Sequence, residues 1–205
     1  MTISSCLMLV TAPVMGLTSV VEKAVSGGVD IVQVRDKGAS QASLEVLSWE
    51  IAEVVDGRAS IVVNNSVAVA RRCRAYGVHF PESAQAEHYN EAREAGLSIG
   101  ASVHSAEAAR RAQGLGANYL VAGAVFATTS HPDLQASGLR FLELICRAVD
   151  LPVLAIGGVS VSNARECLSA GALGVAVLSS ILQADDPRAA AAAYRRALDV
   201  TEGRS

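Results

Sequence analysis

Residues 26–37 read SGGVDIVQVRDK, and the fold follows from how this stretch is built. A Gly-Gly pair ends a helical segment. A short β-branched run follows, and it closes in an amide and two cations. That order predicts a turn, a strand covered on both faces, and a polar strand end. It recurs along the chain. SGGVDIV, RAYGVHF, EAGLSIG, GLGANYL and SAGALGV each place a small or glycine-containing turn just before a strand.

Eight candidate strands result: 7–11, 30–35, 60–64, 76–80, 98–103, 118–122, 152–156 and 173–177. Most are continuously apolar, as expected of parallel strands with helices packed outside them. The intervening segments carry helix period. Leu17, Val20, Val21, Ala24 and Val25 form one stripe. Leu44, Leu47, Ile51 and Val54 form another, opened by Ser40 as N-cap. Ala106, Ala109 and Ala112 follow Ser105, and Asp186-Pro187 opens an Ala-rich helix through about Val200. Eight strand–helix units in one chain predict an α/β fold, a compact (β/α)8 TIM barrel spanning residues 1–205 as a single domain. An open doubly wound sheet is the competitor, and it usually has fewer strands. The connection 123–138, GAVFATTSHPDLQASG, is long for such an economical barrel and lacks helix period, which marks it as a functional loop.

Bulk properties narrow the function. The chain has 205 residues, 51% of them hydrophobic and 4% aromatic, so Val, Leu, Ile and Ala must fill the core. A net charge of −3 gives no long-range pull toward nucleic acid or an anionic membrane, so any anion site is local. Cys6, Cys73, Cys146 and Cys167 show neither a C-x-x-C pair nor metal-ligand spacing, and are expected to be buried thiols. The apolar N-terminal segment has no Lys or Arg before it, and no run reaches membrane-spanning length. A cytoplasmic protein is expected, with no nucleic-acid or membrane partner. A homo-oligomer is compatible with the chain.

Active sites of such barrels lie at the C-terminal strand ends. Polar residues collected there are Gln33, Arg35 and Lys37; Asn64, Asn65 and Ser66; His79; Ser102, His104 and Ser105; Thr128, Thr129, Ser130 and His131; Gly157 and Gly158; Ser179 and Ser180. Gln33, Arg35 and Lys37 share one strand face by alternation, and their cations suit an anionic ligand. Pairing with Asp36 or Glu45 is the bland alternative. Gly157-Gly158 and Ser179-Ser180 close the last two strands, where these barrels often hold phosphate. Asn64 and Asn65 are read as helix caps before substrate ligands. His79 and His104 are read as hydrogen-bonded structural residues before catalysts, and His88 as a surface residue on a helix.

These segments together resemble the thiamine phosphate synthase/TenI family. The likeness rests on LMLVT, GGVDIVQVRDK, VVNNSVAVARRCRAYGVHF, IGASVHSAEAA, NYLVAGAVFATTSH, LPVLAIGGVS and GALGVAVLSSI, in that order. It implies a (β/α)8 barrel handling a thiazole phosphate, with the phosphate held at Gly157, Gly158 and Ser179. The synthase branch joins a pyrimidine diphosphate to the thiazole phosphate with Mg²⁺. In that pattern Gln33, Arg35 and Lys37 hold the diphosphate-bearing substrate. The pattern also has Asn-Asp after the third strand, an acid beyond G-V-H, and T-x-T-K in the loop after the sixth strand. Here those places read Asn64-Asn65, Ala84 and TTSH ending in His131, so both carboxylate ligands are missing. Glu82 is a displaced ligand only if its loop shifts.

The TenI branch needs no metal. Its tautomerases move a proton within a carboxythiazole phosphate and so aromatise the ring. That chemistry requires a phosphate site, a cationic anchor and one acid/base group. The resemblance places the branch's histidine after the sixth strand, where this chain has Ala124. His131 or His104 is the candidate in its stead. The expected function is therefore a metal-independent thiazole tautomerase. Its binding residues would be Gln33, Arg35, Lys37, Asn64, Thr128 and Ser130, with phosphate on Gly157, Gly158, Ser179 and Ser180. The alternatives are an Mg²⁺-dependent synthase and a non-catalytic binder of thiazole or thiamine phosphate.

Overall fold

The computed structural model describes residues 5–128 and 136–199. Among them, strands and helices alternate in the order β1 (Cys6–Val10), α1 (Leu17–Ser26), β2 (Ile31–Val34), α2 (Gln41–Val55), β3 (Ser60–Asn64), α3 (Val67–Arg72), β4 (Gly77–Phe80), α4 (Ala86–Glu94) and β5 (Ser98–Val103). Then come α5 (Ala106–Leu115), β6 (Tyr119–Ala122), α6 (Gly138–Ala148), β7 (Val153–Ile156), α7 (Ala164–Ser169), β8 (Gly174–Val177), α8 (Ser179–Leu182) and α9 (Pro187–Asp199). Every strand runs parallel to the next, and β8 pairs with β1, so the sheet closes into an eight-stranded barrel. The (β/α)8 architecture is the expected one, and all eight candidate strands are present within a residue or two. No helix among the described residues is long and apolar enough to cross a membrane.

Alternation along each strand divides the apolar residues into two cores. Val32, Val34, Val63, Val78 and Leu120 face outward and join the helices in the larger cluster. Met8, Val10, Val62, Tyr119, Val121, Leu154 and Ala176 face inward and form a second, smaller cluster inside the barrel. The inward position on β5 is Gly100. A Cβ there would run into the Tyr119 ring and stand 2.6 Å from His79 Nδ1. The missing side chain is what lets both rings lie inside the barrel.

Local chemistry sets the helix ends. Ser40 caps α2 as expected, accepting from the N–H of Ser43 at 3.1 Å, and Ser105 caps α5 in the same way, accepting from that of Ala108 at 3.0 Å. For α3 the cap is Ser66, whose Oγ accepts from Val69 N–H at 3.3 Å. The capping role read for Asn64 and Asn65 is therefore corrected: Asn64 is still a strand residue there, and its amide turns to Gln33. Helix α9 opens with Asp186 accepting from Ala189 N–H, and is described to Asp199. Arg195 ties it to the barrel base, pairing with Asp30 at 2.9 Å and Asp199 at 2.8 Å and donating to the Ser5 carbonyl at 2.7 Å.

The segment after β6 begins as an extension of the sheet. Val125 and Phe126 donate to the carbonyls of Ile156 and Gly157, and Ser137 and Gly138 return to the carbonyls of Ala124 and Val125. Thr129, Ser130 and His131 lie outside the described residues.

Two glycines test this packing in opposite directions. Gly100→Ala overfills the interior, and chemical denaturation should show a loss of about 1–3 kcal/mol. Gly114, inside α5, has nothing within 4 Å of a built Cβ and no positive φ. Gly114→Ala should gain about 0.5–1 kcal/mol from helix propensity.

Candidate active site

The polar strand ends converge on one cavity of about 650 Å³ at the C-terminal mouth of the barrel. Of the expected site residues, Gln33, Arg35, Lys37, Asn64, His104, Thr128, Gly157, Gly158, Ser179 and Ser180 all line it. Arg35 and the Gly157-Gly158 turn therefore face the same space. Ser130 and His131 fall in the undescribed segment. Asn65, His79, Glu82 and Ser102 also border the cavity.

Strand β2 brings in the cations, and β1 holds its end. Thr11, fully buried, accepts from Arg35 N–H at 2.8 Å and donates to the Arg35 carbonyl at 3.1 Å, while its own N–H reaches the Gln33 carbonyl at 2.9 Å. The backbone at Arg35 is thereby clamped. Among the described residues, no carboxylate lies within ion-pair distance of Arg35 or Lys37. The acids proposed as their partners are engaged elsewhere, Glu45 with Arg72 and Asp36 with Gly38 N–H. Burial lowers the Arg35 pKa from its ordinary value, but a guanidinium remains charged at neutral pH. Two cations without acidic partners make this side of the cavity attractive to an anion.

Behind Arg35 lies a layer of neutral polar groups. Gln33 Nε2 donates to Asn64 Oδ1 at 3.0 Å. His79, 2% exposed, sits beside Ser102 Oγ (2.9 Å from Nε2) and the Tyr119 hydroxyl (3.3 Å from Nδ1). Burial first, and the Arg35 charge second, push its pKa down from 6.5 to about 4, so the ring is neutral at physiological pH. His79 and Ser102 stood among the strand-end residues in the sequence. Nothing in the sequence joined them to Tyr119, which reads as one more residue of an apolar strand.

At the rim, Glu82 Oε2 accepts from His104 N–H at 2.7 Å and lies 2.8 Å from His104 Nδ1. A carboxylate can only accept, so the ring proton sits on Nδ1 and Nε2 is the basic nitrogen of the neutral ring. Arg111 steadies the same loop through the carbonyls of Glu82 and Ala84. His88 is an exposed residue of α4, as expected.

On the far side, Gly157 and Gly158 both have positive φ, 93° and 64°. A Cβ on Gly157 would stand 2.6 Å from that of Ala124. Asn163 braces the turn, donating to the Gly158 carbonyl and accepting from Ser160 N–H. Ser179 and Ser180 open the four-residue α8, and Ser180 Oγ lies 2.9 Å from the buried Tyr194 hydroxyl.

The donor set fits Mg²⁺ poorly. This ion demands several hard, preferably anionic oxygens. Among the described residues, Glu82 is the one carboxylate that lines the cavity, and its Oε2 is held by His104. Ala84 is buried and lines no part of the cavity. Among the described residues, no group of three or more His, Cys, Asp and Glu could hold a metal.

The neutral His79 makes the fold acid-sensitive in a defined window. Below pH 6.5 the unfolded chain takes up a proton that the folded ring refuses until about pH 4. Its stabilising contribution is complete above pH 6.5 and is lost as pH falls toward 4, by roughly 3 kcal/mol. Denaturation at pH 7.5 and pH 4 should show that much less loss in His79→Gln than in the parent chain.

Comparison with known proteins agrees with the barrel fold. The chain is 39% identical over 189 residues to a thiamine-phosphate synthase of Natronomonas pharaonis, covering 90% of this chain and 87% of that one. It is 38% identical over 177 residues to a thiamine-phosphate synthase of Roseiflexus sp. (strain RS-1), covering 85% and 75%. The solved thiamine phosphate pyrophosphorylase from Pyrococcus furiosus superposes with a TM-score of 0.86 at 32% identity, covering 96% of this chain and 97% of that one. With the profile of the family described as thiamine monophosphate synthase matching residues 7–181, the chain belongs to that family.

Proposed function

We propose that this chain is a metal-independent isomerase of TenI type, which aromatises a carboxythiazole phosphate by moving a proton. One observation carries the proposal. Among the described residues, two cations without acidic partners and the Gly-Gly and Ser-Ser strand ends surround a single cavity whose lone lining carboxylate is bonded to a histidine. A small molecule with two anionic ends and no bound metal suits such a lining. Its phosphate is assigned to Gly157, Gly158, Ser179 and Ser180, and its carboxylate to Arg35 and Lys37, with Gln33, Asn64 and Thr128 between them.

His104 is the acid/base group. Its Nε2 takes a proton from one carbon of the substrate and returns it at another, and the electron pair left by the broken C–H bond ends in the aromatic ring. Glu82 holds Nδ1–H and supports the positive charge the ring carries between the two transfers. The neutral His79 is a weak base and is not assigned this step.

The synthase reaction is the second reading, and the names of the relatives favour it. Against it stand Asn65 and Ala84 at the places of the two expected carboxylates.

Purified protein in EDTA should aromatise the non-aromatic carboxythiazole phosphate, followed by ultraviolet absorbance. No aromatisation, with pyrophosphate release from pyrimidine diphosphate and thiazole phosphate only when Mg²⁺ is added, would overturn the proposal in favour of the synthase.

Within the isomerase, Arg35→Ala should raise KM at least about 10-fold or abolish turnover while the circular dichroism spectrum is kept. His104→Gln should lower kcat by about 10²–10⁴-fold with a small change in KM. Parent-like kinetics in either variant would remove that residue from the site.

A further inference from the structure

The barrel interior contains a chain of three polar side chains whose direction is determined by its buried end. Tyr119 starts β6 and points inward among Met8, Val62 and Leu154. Its hydroxyl lies 3.3 Å from His79 Nδ1, and His79 Nε2 lies 2.9 Å from Ser102 Oγ. Two arrangements of protons satisfy these distances. In one, Tyr119 donates to Nδ1 and Nε2–H donates to Ser102. In the other, Ser102 donates to Nε2 and Nδ1–H donates to Tyr119.

The two differ in what they leave over. Among the described residues, the acceptor within reach of the Tyr119 hydroxyl is His79 Nδ1. Burial raises the Tyr119 pKa, so the hydroxyl keeps its proton. The second arrangement would strand that proton in an apolar interior, which folded proteins avoid. The first strands nothing, because Ser102 borders the open cavity and its own hydrogen can point there. Charged groups that share the cavity with His79 are Arg35 and Lys37 from the β2 end, Glu82 after β4, and His104 after β5. None of them takes part in the chain.

We propose that Tyr119 is a positioning residue: it donates its O–H to His79, holds that ring in the Nε2–H form, and thereby makes Ser102 a hydrogen-bond donor to the ligand. Gly100 is part of the device, since a side chain there would displace both rings. The cavity therefore selects a ligand that presents an acceptor, such as a ring nitrogen or carboxylate oxygen, at Ser102. The last statement rests on the proposed function; the tautomer does not.

Protein labelled with ¹⁵N-histidine tests the tautomer directly by long-range ¹H–¹⁵N correlation, with His79→Gln assigning the signals. The parent chain should show His79 protonated on Nε2, unprotonated on Nδ1, and unchanged between pH 8 and pH 5. Tyr119→Phe keeps the ring volume and should bring the two nitrogens toward averaged shifts, with the other histidine signals unmoved. Nδ1–H in the parent chain, titration within that range, or a Tyr119→Phe spectrum identical to the parent overturns the proposal.

Calorimetry with the aromatic carboxythiazole phosphate tests the consequence. Ser102→Ala and Tyr119→Phe should each weaken binding about 3–10-fold, the worth of one hydrogen bond. Full affinity in Tyr119→Phe despite a changed tautomer overturns the donor role. If the parent chain binds none of this compound, the proposed function falls and the donor role falls with it, while the spectra still decide the tautomer.

Discussion

A closed barrel of parallel strands gives each strand one inward column of side chains, and those columns must fill a fixed interior. Everything distinctive in this protein follows from how they do so. Low in the barrel, Met8, Val62, Leu154 and Ala176 fill the space with apolar atoms, and Tyr119 lies among them because Gly100 contributes no side chain. Higher up, the same columns continue as Gln33, Asn64, His79 and Ser102, which leave a cavity in place of a packed core. Buried polar groups are tolerated there because each finds a partner; among the described residues no buried side-chain nitrogen or oxygen lacks one.

Charge within that cavity is arranged by subtraction. Arg35 is brought in by the β2 backbone, which Thr11 clamps, and the nearby acids Asp36 and Glu45 are turned to other partners. His79 responds to burial and to Arg35 by staying neutral, so it adds no cation of its own. Glu82 faces His104. What remains for a ligand is positive on the β2 side and lined by backbone and hydroxyl groups after β7 and β8. Such a field favours a small dianion and gives little to a divalent cation, which separates this site from one built around paired carboxylates.

Much of this was legible in the sequence because it is local or strictly alternating. Each strand is a short apolar run introduced by a glycine or small-residue turn, and Gln33, Arg35 and Lys37 fall on one face by counting in twos. Asn64 was misread because an Asn before a helix looks like a cap. The cap passed to Ser66 two residues on, while the pleat turned Asn64 inward to Gln33. Thr11 and Tyr119 carry no local signal, since each reads as one more residue of an apolar strand. Their roles come from neighbours distant in sequence: Arg35 for Thr11, His79 for Tyr119. The Glu82–His104 pair was likewise hidden, although both residues had been noticed separately. Inward parity on β4, β5 and β6 is the signal that would have linked His79 and Ser102 to Tyr119, whereas Thr11 and Glu82 fall on the other parity.

The central claim is that one small molecule with two anionic groups spans the cavity from Arg35 to the Gly157-Gly158 turn. A crystal structure with the aromatic carboxythiazole phosphate, grown in EDTA, tests it most directly. The account predicts the phosphate at Gly157, Gly158 and Ser179, and the carboxylate at Arg35. Density for the phosphate outside the barrel mouth, or a bound molecule that leaves Arg35 without an anionic contact, would contradict it.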